Sequence, residues 1–310
     1  MIPEAPDVSV IVVSYNGKEI LRDCLKSIFD QTEGINFEVI VSDNGSDDGS
    51  PEMVEKLFPS VMLIKNGANL GFARANNVAL PCCGGRYILL LNPDTVVLSN
   101  AIGAMVKFMD KHSQIGACGP KLLNSDGSLQ YSVRNFPSIT NQLAESLFLH
   151  KIFPGLAGFG ELITGPSFYR EARMVDWVVG AALMMRREAL NDVGPLDERY
   201  FMYSEDKDWC FNAWQKGWPI MLIPEAKIIH LHGESSTNPQ LFSMMVNSKK
   251  LFLRKNFAPA KAGAIIAIMR LNLALRIGLS KFAKLLGPKL AMRAANKLEV
   301  SQVGRHNLKV

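Results

Sequence analysis

Two short acidic segments stand far apart in this chain, Leu91-Asn92-Pro93-Asp94-Thr95 and Tyr203-Ser204-Glu205-Asp206-Lys207-Asp208-Trp209. Neither is distinctive alone. In this order, behind the apolar run Val8 to Val13, they point to a site that uses two separated carboxylates. Asp94 would hold a divalent metal ion on a phosphorylated donor, because a hard cation on diphosphate oxygens stabilises the charge that such a leaving group gathers. Asp206 would take a proton from an acceptor hydroxyl. Such a base needs a raised proton affinity, through partial burial or nearby acids such as Glu205. Glu205 would orient the acceptor, or serve as the base in place of Asp206. Asp208 reads as a helix N-terminal acid favoured by the dipole.

Other residues suit a nucleotide-sugar pocket. Asp43 ends the strand pattern Phe37 to Ser42 and can accept a hydrogen bond from N3–H of a uracil or thymine; it can equally cap its own Ser/Gly turn. Tyr15 is placed to stack on the base, or else is a core aromatic. Arg74 follows Gly71 at the start of a helical pattern and can bind phosphate or ribose, or lie on the surface. Asn92 would stand beside the donor. His230 and His232 share one face of a strand, so either could reach a metal ion as a neutral imidazole. Trp177, Gly180 and Ala181 could floor the sugar pocket, or form a core strand.

The elements that must position these residues alternate. Val8 to Val13 is a buried-strand run. Leu21, Leu25, Ile28 and Phe29 fall on one helical face. A strand at Phe37 to Ser42 precedes a polar loop, and Pro51 opens a helix. Val61 to Lys65 is a third strand, Asn69 to Leu80 a loop and helix, and Tyr87 to Leu91 a fourth strand. This alternation implies a parallel, doubly wound sheet, whose ligands sit beyond the carboxyl ends of the strands; Asp43 and Asp94 both fall there. A helix is expected over Ala101 to Lys111, and a hairpin turning at Asp126-Gly127. Residues 136 to 172 read as a variable loop over the acceptor region. A helix follows from Asp206 to Lys216 and a strand from Ile220 to Ile223.

The succession Ser9-Val-Ile-Val-Val-Ser-Tyr15-Asn16, Ser42-Asp43-Asn-Gly-Ser, Asn69-Leu-Gly71-Phe-Ala-Arg74-Ala-Asn76, Leu91-Asn-Pro-Asp94-Thr and Glu205-Asp206 resembles the family 2 glycosyltransferases over residues 7 to 235. The resemblance implies an α/β GT-A (Rossmann-like) fold, a mostly parallel sheet flanked by helices. It also implies inverting transfer that depends on Mg²⁺ or Mn²⁺. Many relatives carry Asp-x-Asp where this chain has Asn92-Pro93-Asp94, which leaves one anionic ligand. A histidine near residue 230 completes the metal shell in the family, and the spacing to Gly233 and Ser235 favours His230. The Asn-Pro-Asp-Thr form is similar to a rhamnosyltransferase-like branch that builds bacterial surface polysaccharides. That branch implies a nucleoside diphosphate donor, with dTDP-L-rhamnose first, and a saccharide or lipid-linked acceptor.

Composition bounds the alternatives. The chain has 310 residues, 48% hydrophobic and 20% charged, an ordinary globular balance. Its five cysteines form no CxxC pair and are odd in number, which argues against a disulfide framework or a zinc site and for a reducing compartment. The first apolar run is short for a signal peptide, so the chain reads as cytoplasmic. Net charge is +5, but residues 236–310 carry 14 Lys or Arg against one acid, Glu299. The expected division is therefore a GT-A domain over 1–235 and a basic helical tail over 236–310. In the tail, Ile268, Leu271, Leu275, Leu279, Phe282 and Leu286 form one stripe, with Arg270, Lys281 and Lys284 roughly opposite. This is the pattern of an amphipathic interfacial helix on an anionic membrane surface, not of a nucleic-acid partner. No uncharged run approaches a spanning length. A sugar-phosphate nucleotidyltransferase would need a Gly-rich, Arg-bearing loop after the first strand, and Ser14-Tyr15-Asn16-Gly17-Lys18 lacks one. A non-catalytic saccharide-binding relative would tolerate loss of Asp94 or Asp206, and both are present.

Overall fold

A computed structural model describes residues 5–152, 159–231 and 238–285, with 301, 307 and 308. The chain forms two compact units. One comprises Met1–Arg134, Pro166–Phe201 and Glu205–His232, the other Asn135–Gly165, Met202–Ser204 and Gly233–Val310.

The first unit contains the strands β1 (Val8–Ser14), β2 (Phe37–Asp43), β3 (Met62–Lys65), β4 (Tyr87–Leu91), β5 (Thr95–Leu98), β6 (Ala117–Leu123), β7 (Val133–Arg134), β8 (Arg173–Val175), β9 (Trp177–Val178), β10 (Ala182–Arg186) and β11 (Ile220–His230). Its helices are α1 (Lys18–Gln31), α2 (Ser50–Leu57), α3 (Phe72–Ala79), α4 (Ala101–Lys111), α7 (Arg187–Val193) and α8 (Glu205–Gln215). The main sheet has the order β3-β2-β1-β4-β10-β6-β11-β5, with β8 also on β11, while β7 and β9 form a separate ladder. Strands β1, β2, β3, β4, β6 and β11 run one way, and β5, β8 and β10 run against them.

Burial explains the pattern. β1 lies between β2 and β4 and is buried along its whole length, which is why it reads as a continuous apolar run rather than an alternating one. Val10 and Val12 pack with Leu21, Leu25 and Ile28 of α1 and with Ile102, Met105 and Met109 of α4 in one core. Phe29 sits at the edge of that core, against Phe37 and Phe58. The apolar run from Trp177 to Met185 is not one strand. It breaks at Val179-Gly180-Ala181, because β9 pairs with β7 while β10 pairs with β4 and β6. The strand that starts at Ile220 runs on to His230. Its ladder with β6 is irregular between Ile223 and Lys227, where Pro224 lacks an N–H and Pro120 lies opposite Ile223. Beyond that break β11 pairs with β5, a strand that follows the Asp94 turn and that the sequence pattern did not reveal.

The second unit contains α5 (Ile139–Ser146), α6 (Leu149–Ile152), α9 (Pro239–Asn256) and α10 (Pro259–Leu285). Within the segment read as a variable loop, Ile139–Ser146 and Leu149–Ile152 are helical. The start of α5 is fixed by a capping box in which Ser138 Oγ accepts from Asn141 N (3.1 Å) and Asn141 Oδ1 accepts from Ser138 N (2.8 Å). Asn stands where the usual signature has Glu or Gln, so pattern reading passes over it. On α10, Ala262, Ile265, Ile266, Leu273 and Ile277 are buried, whereas Leu271, Leu275 and Leu279 are exposed by 53%, 39% and 56%. Ile139 and Leu143 of α5, and Leu147 just after it, are exposed as well, and α5 meets α10 where Asn272 Nδ2 donates to Ser146 Oγ (3.3 Å). Arg270 donates to the Leu308 carbonyl (2.7 Å). The stretch Pro259–Leu279 is long and apolar enough to cross a membrane, a wider apolar run than the charge spacing implied. Leu286 of the apolar stripe lies outside the described residues, as do the side chains of Phe282 and Lys284.

Candidate active site

The strand ends of the first unit gather the site. Ser14 and Asp43 are partners at the carboxyl ends of β1 and β2. Asp43 is 2% exposed, and its Oδ2 accepts from Gly45 N (3.1 Å) and Ser46 N (3.0 Å). That oxygen does cap its own turn. Its Oδ1 is buried with no hydrogen-bond partner among the described residues. A buried carboxylate oxygen without a donor costs free energy, so this atom is suited to a ligand N–H. Tyr15 is 55% exposed and is therefore not a core aromatic. It leads into Asn16 and Gly17, both at positive φ (56° and 92°).

The adjoining loops lock together through residues that sequence reading passed over. Asp48 Oδ2 accepts from Gly17 N (2.7 Å) and Lys18 N (2.8 Å), so it caps α1 from the neighbouring loop, while its Oδ1 accepts from Ser50 N (3.0 Å) at the start of α2. Asn44 Nδ2 donates to Gly71 O (3.2 Å), and Asn66 Nδ2 donates to Asn44 Oδ1 (3.0 Å) and Ser42 Oγ (2.9 Å). Gly71 has φ 80°, and a Cβ there would lie 2.4 Å from Phe201 O, so only glycine fits. Arg74, one turn into α3, is exposed and lies 3.8 Å from Glu198. Among the described residues no bond ties it to Asp43 or Asp94.

The metal-side residues are brought together by the β5–β11 ladder. His230 lies opposite Thr95, and Leu231 N donates to Asp94 O (2.8 Å). His230 Nε2 is 3.4 Å from Asp94 Oδ1. Gln130, across the Asp126-Gly127 hairpin, sets the ring. Its Nε2 donates to Asn124 Oδ1 and to His230 O (both 3.0 Å), which leaves Oε1 to accept from His230 Nδ1 (2.7 Å). With Nδ1 as the donor, Nε2 is the nitrogen that faces Asp94. A histidine held through one ring nitrogen, with the other beside a carboxylate, is the usual arrangement of a metal-ligating imidazole. Among the described residues no three His, Cys, Asp or Glu side chains cluster as a metal site, and Asp94 and His230 are the expected ligands that lie beside each other. One carboxylate with further ligands from substrate phosphates suits Mg²⁺ or Mn²⁺, so these residues fit the implied ion. Asn92 does not add a second anion. Its backbone N donates to Ala181 O (2.9 Å), and its O accepts from Thr95 Oγ1 (2.7 Å). His232, the alternative ligand, lies outside the described residues, with Gly233 and Ser235.

The base-side residues meet the same backbone segment. Asp206 is half-buried near the start of α8. Its Oδ2 accepts from Gly180 N and its Oδ1 from Lys207 N (both 2.7 Å). A Cβ on Gly180 would lie 3.0 Å from Asp206 Cβ, so the glycine leaves room for the carboxylate. The next residue, Ala181, binds Asn92. A single dipeptide therefore joins Asp206 to the turn that carries Asp94. Burial pushes the Asp206 carboxyl above its ordinary range; the amides of Gly180 and Lys207 and the charges of Lys207 and Arg134 oppose this without overcoming it. Glu205 is 5% exposed and more withdrawn than Asp206, which favours Asp206 as the acceptor-facing acid. Asp208 is structural, accepting from Tyr200 Oη (3.1 Å) and Asn212 Nδ2 (3.2 Å). Trp177 and Ala181 are buried, as the core-strand alternative required.

Comparison with known proteins accords with this geometry. The chain is 29% identical over 261 residues to an N-acetylglucosaminyl-diphospho-decaprenol L-rhamnosyltransferase of Mycobacterium tuberculosis, covering 79% of this chain and 82% of that one. It is 25% identical over 232 residues to rhamnosyltransferase WbbL of Escherichia coli (72% and 83%) and 24% over 266 residues to dTDP-rhamnosyl transferase RfbF of Shigella flexneri (82% of each). Among solved structures, a mannosyltransferase of Pyrobaculum calidifontis in complex with GDP-Man and Mn²⁺ superposes with a TM-score of 0.63 at 16% identity, covering 99% of this chain and 88% of that one. GalNAc-T7 with UDP, GalNAc and Mn²⁺ gives 0.57 at 15% identity; the match covers 81% of this chain and 48% of that longer one. These likenesses establish the GT-A-like fold. Residues 9–170, more than half of the sequence, match the Glycosyl transferase family 2 domain, and the chain belongs to that family.

Proposed function

We propose that the protein transfers L-rhamnose from dTDP-L-rhamnose, with inversion, to a lipid-linked saccharide acceptor in the synthesis of a cell-surface polysaccharide. The observation that carries this reading is the link from Asp206 through Gly180-Ala181 to the Asn92–Asp94 turn. It ties the residue read as the proton acceptor to the turn that carries the residue read as the metal-side carboxylate. The rhamnosyl donor and the lipid-linked acceptor are supported by the names of the relatives from Mycobacterium tuberculosis and Shigella flexneri.

In this mechanism the unpartnered Asp43 Oδ1 accepts the pyrimidine N3–H, and Tyr15 offers an exposed ring to the base. Asp94 and His230, oriented by Gln130, hold the metal-side end of the donor. When bound there, Mg²⁺ or Mn²⁺ supplies charge stabilisation to the departing diphosphate oxygens. Asp206 removes the proton from the acceptor hydroxyl, whose oxygen attacks the anomeric carbon from the face opposite the diphosphate, through an oxocarbenium-like state. Burial of Asp206 keeps its proton affinity high enough for that task.

The acceptor class also fits the second unit. The exposed leucines of α10, with Arg276 and Lys281 beside them, suit the surface of an anionic leaflet. The buried side of the same helix favours lying along that surface over spanning it. We place the working protein on the cytoplasmic face of the cell membrane.

The test is release of nucleoside diphosphate from a panel of dTDP-, UDP- and GDP-sugars with a lipid-linked acceptor, in Mg²⁺ or Mn²⁺ and in EDTA. Turnover of dTDP-L-rhamnose that EDTA abolishes is the expected result. Undiminished turnover in EDTA, or turnover of another donor alone, refutes the reading.

A further inference from the structure

Helix α5 is built inside out. Its buried side chains are Asn141, Gln142, Ala144 and Ser146, three polar and one small. Hydrogen bonds hold each polar one. Asn141 closes the cap with Ser138 and donates to Phe136 O (2.9 Å), Gln142 Nε2 donates to Glu161 Oε1 (2.6 Å), and Ser146 Oγ donates to Gln142 O (2.8 Å). The apolar side chains face outward. Ile139, Leu143 and Leu147, spaced four residues apart, are exposed by 41%, 41% and 60%, and Ile152 of α6 by 63%. A helix that faces water carries the reverse arrangement. A contiguous exposed apolar patch marks a protein or membrane contact.

This row adjoins the exposed leucines of α10. Asn272, which donates to Ser146 Oγ, sits beside Leu271 and one turn from Leu275, while Ser146 sits beside Leu147 and one turn from Leu143. Charge selects among the bodies that could cover both rows. α9 carries four Lys or Arg and α10 five, with no Asp or Glu on either. Among the described residues of this unit the acids are Glu145 and Glu161, and both are engaged within it. Glu161 pairs with Lys249 (2.5 Å), and Glu145 Oε1 accepts from Glu161 N (2.7 Å). A second copy would set like charge against like charge, whereas an anionic leaflet offers hydrocarbon to the leucines and phosphate to the bases.

We propose that α5, with Ile152 of α6, is a second lipid-contacting element, so that the protein rests on an anionic leaflet through α5 and α10 together. This rests on the membrane placement of the preceding section and extends it to residues well before the basic tail.

The experiment uses the full chain and phosphatidylglycerol vesicles free of any glycan acceptor. Leu143→Ser combined with Leu147→Ser should lower the partition coefficient by about tenfold, the effect of returning roughly one buried leucine to water. Tm should hold, because both side chains are exposed. Leu147→Trp keeps the position apolar and serves alone if the double variant does not fold. Its emission, taken as the difference from the parent, should shift to the blue on the vesicles and be quenched by brominated acyl chains. Undiminished sedimentation of the double variant, or an unshifted difference spectrum, overturns the proposal; if replacing the α10 leucines still abolishes binding, the membrane placement stands without it. A parent protein that stays in solution overturns both. A dimer that the double variant dissociates, with vesicle binding unchanged, assigns the α5 row to a second copy and overturns the proposal as well.

Discussion

Asp206→Asn separates catalysis from folding in one substitution. It removes the proton-accepting charge and keeps the shape. General-base catalysis contributes about 10²- to 10⁴-fold, so kcat should fall by that factor while donor affinity holds. The amide keeps one acceptor oxygen for the N–H groups of Gly180 and Lys207, so one of two bonds is lost, an offset of about 1 kcal/mol that does not vary with pH. What varies is the titration. Burial raises the Asp206 pKa in the folded state. Between the unfolded value, near 3.9, and the raised folded value, the native state holds more protons than the unfolded state. Stability supplied by Asp206 is thus fully present below the unfolded value and is lost as pH rises through the folded one. The slope is at most about 1.4 kcal/mol per pH unit. The variant lacks this loss. Its stability relative to the parent should climb across that window and then level off, in urea unfolding followed from about pH 4 to pH 8. The acid limb of kcat/KM in the parent should lie above the ordinary aspartate range. Parallel stability profiles, an acid limb near 3.9, or a variant kcat within tenfold of the parent would each refute the assignment.

Other substitutions probe the remaining parts. Asp94→Ala should weaken donor binding in Mn²⁺ and leave binding in EDTA nearly unchanged, as read by calorimetric titration; equal loss in both media counts against a metal role. Gln130→Leu, which frees the His230 ring, should lower Mn²⁺-supported donor affinity by about 10- to 100-fold; an unaltered Mn²⁺ titration would show that His230 needs no partner. Gly180→Ala forces a methyl within about 3 Å of Asp206 and should cut kcat with donor KM intact, and unaltered turnover would mean that the carboxylate has room to move. Replacing Leu271, Leu275 and Leu279 together by Ser should reduce sedimentation with anionic liposomes without lowering Tm, because these side chains are exposed; equal sedimentation would exclude α10 from lipid contact.

Much of the first unit was readable because its signals are local. The apolar run at Val8 to Val13, the face of Leu21, Leu25 and Ile28, and the turn at Asp126-Gly127 each state their element in a few residues. Asp43 and Asp94 could be chosen because strand ends in wound sheets carry ligands. The residues that escaped reading act across long sequence distances. Gln130 meets His230 only after the hairpin folds back beside β11, and nothing near position 130 marks it. Asp48 looks like one more acid in a polar loop, yet it caps a helix that begins at Lys18. The gap at Val179-Gly180-Ala181 lies hidden in an apolar run, because its meaning comes from two separate ladders. α5 escaped because its cap uses Asn141, and the exposed Ile139, Leu143 and Leu147 read as loop apolars.

The most direct measurement is a crystal structure of Asp206→Asn with dTDP-L-rhamnose and Mn²⁺, the ion located by its anomalous scattering. The ion is expected on Asp94 and His230 Nε2 with the donor diphosphate, and the rhamnosyl anomeric carbon between that group and residue 206. Mn²⁺ bound elsewhere, or residue 206 turned away from the open face of that carbon, would contradict the account.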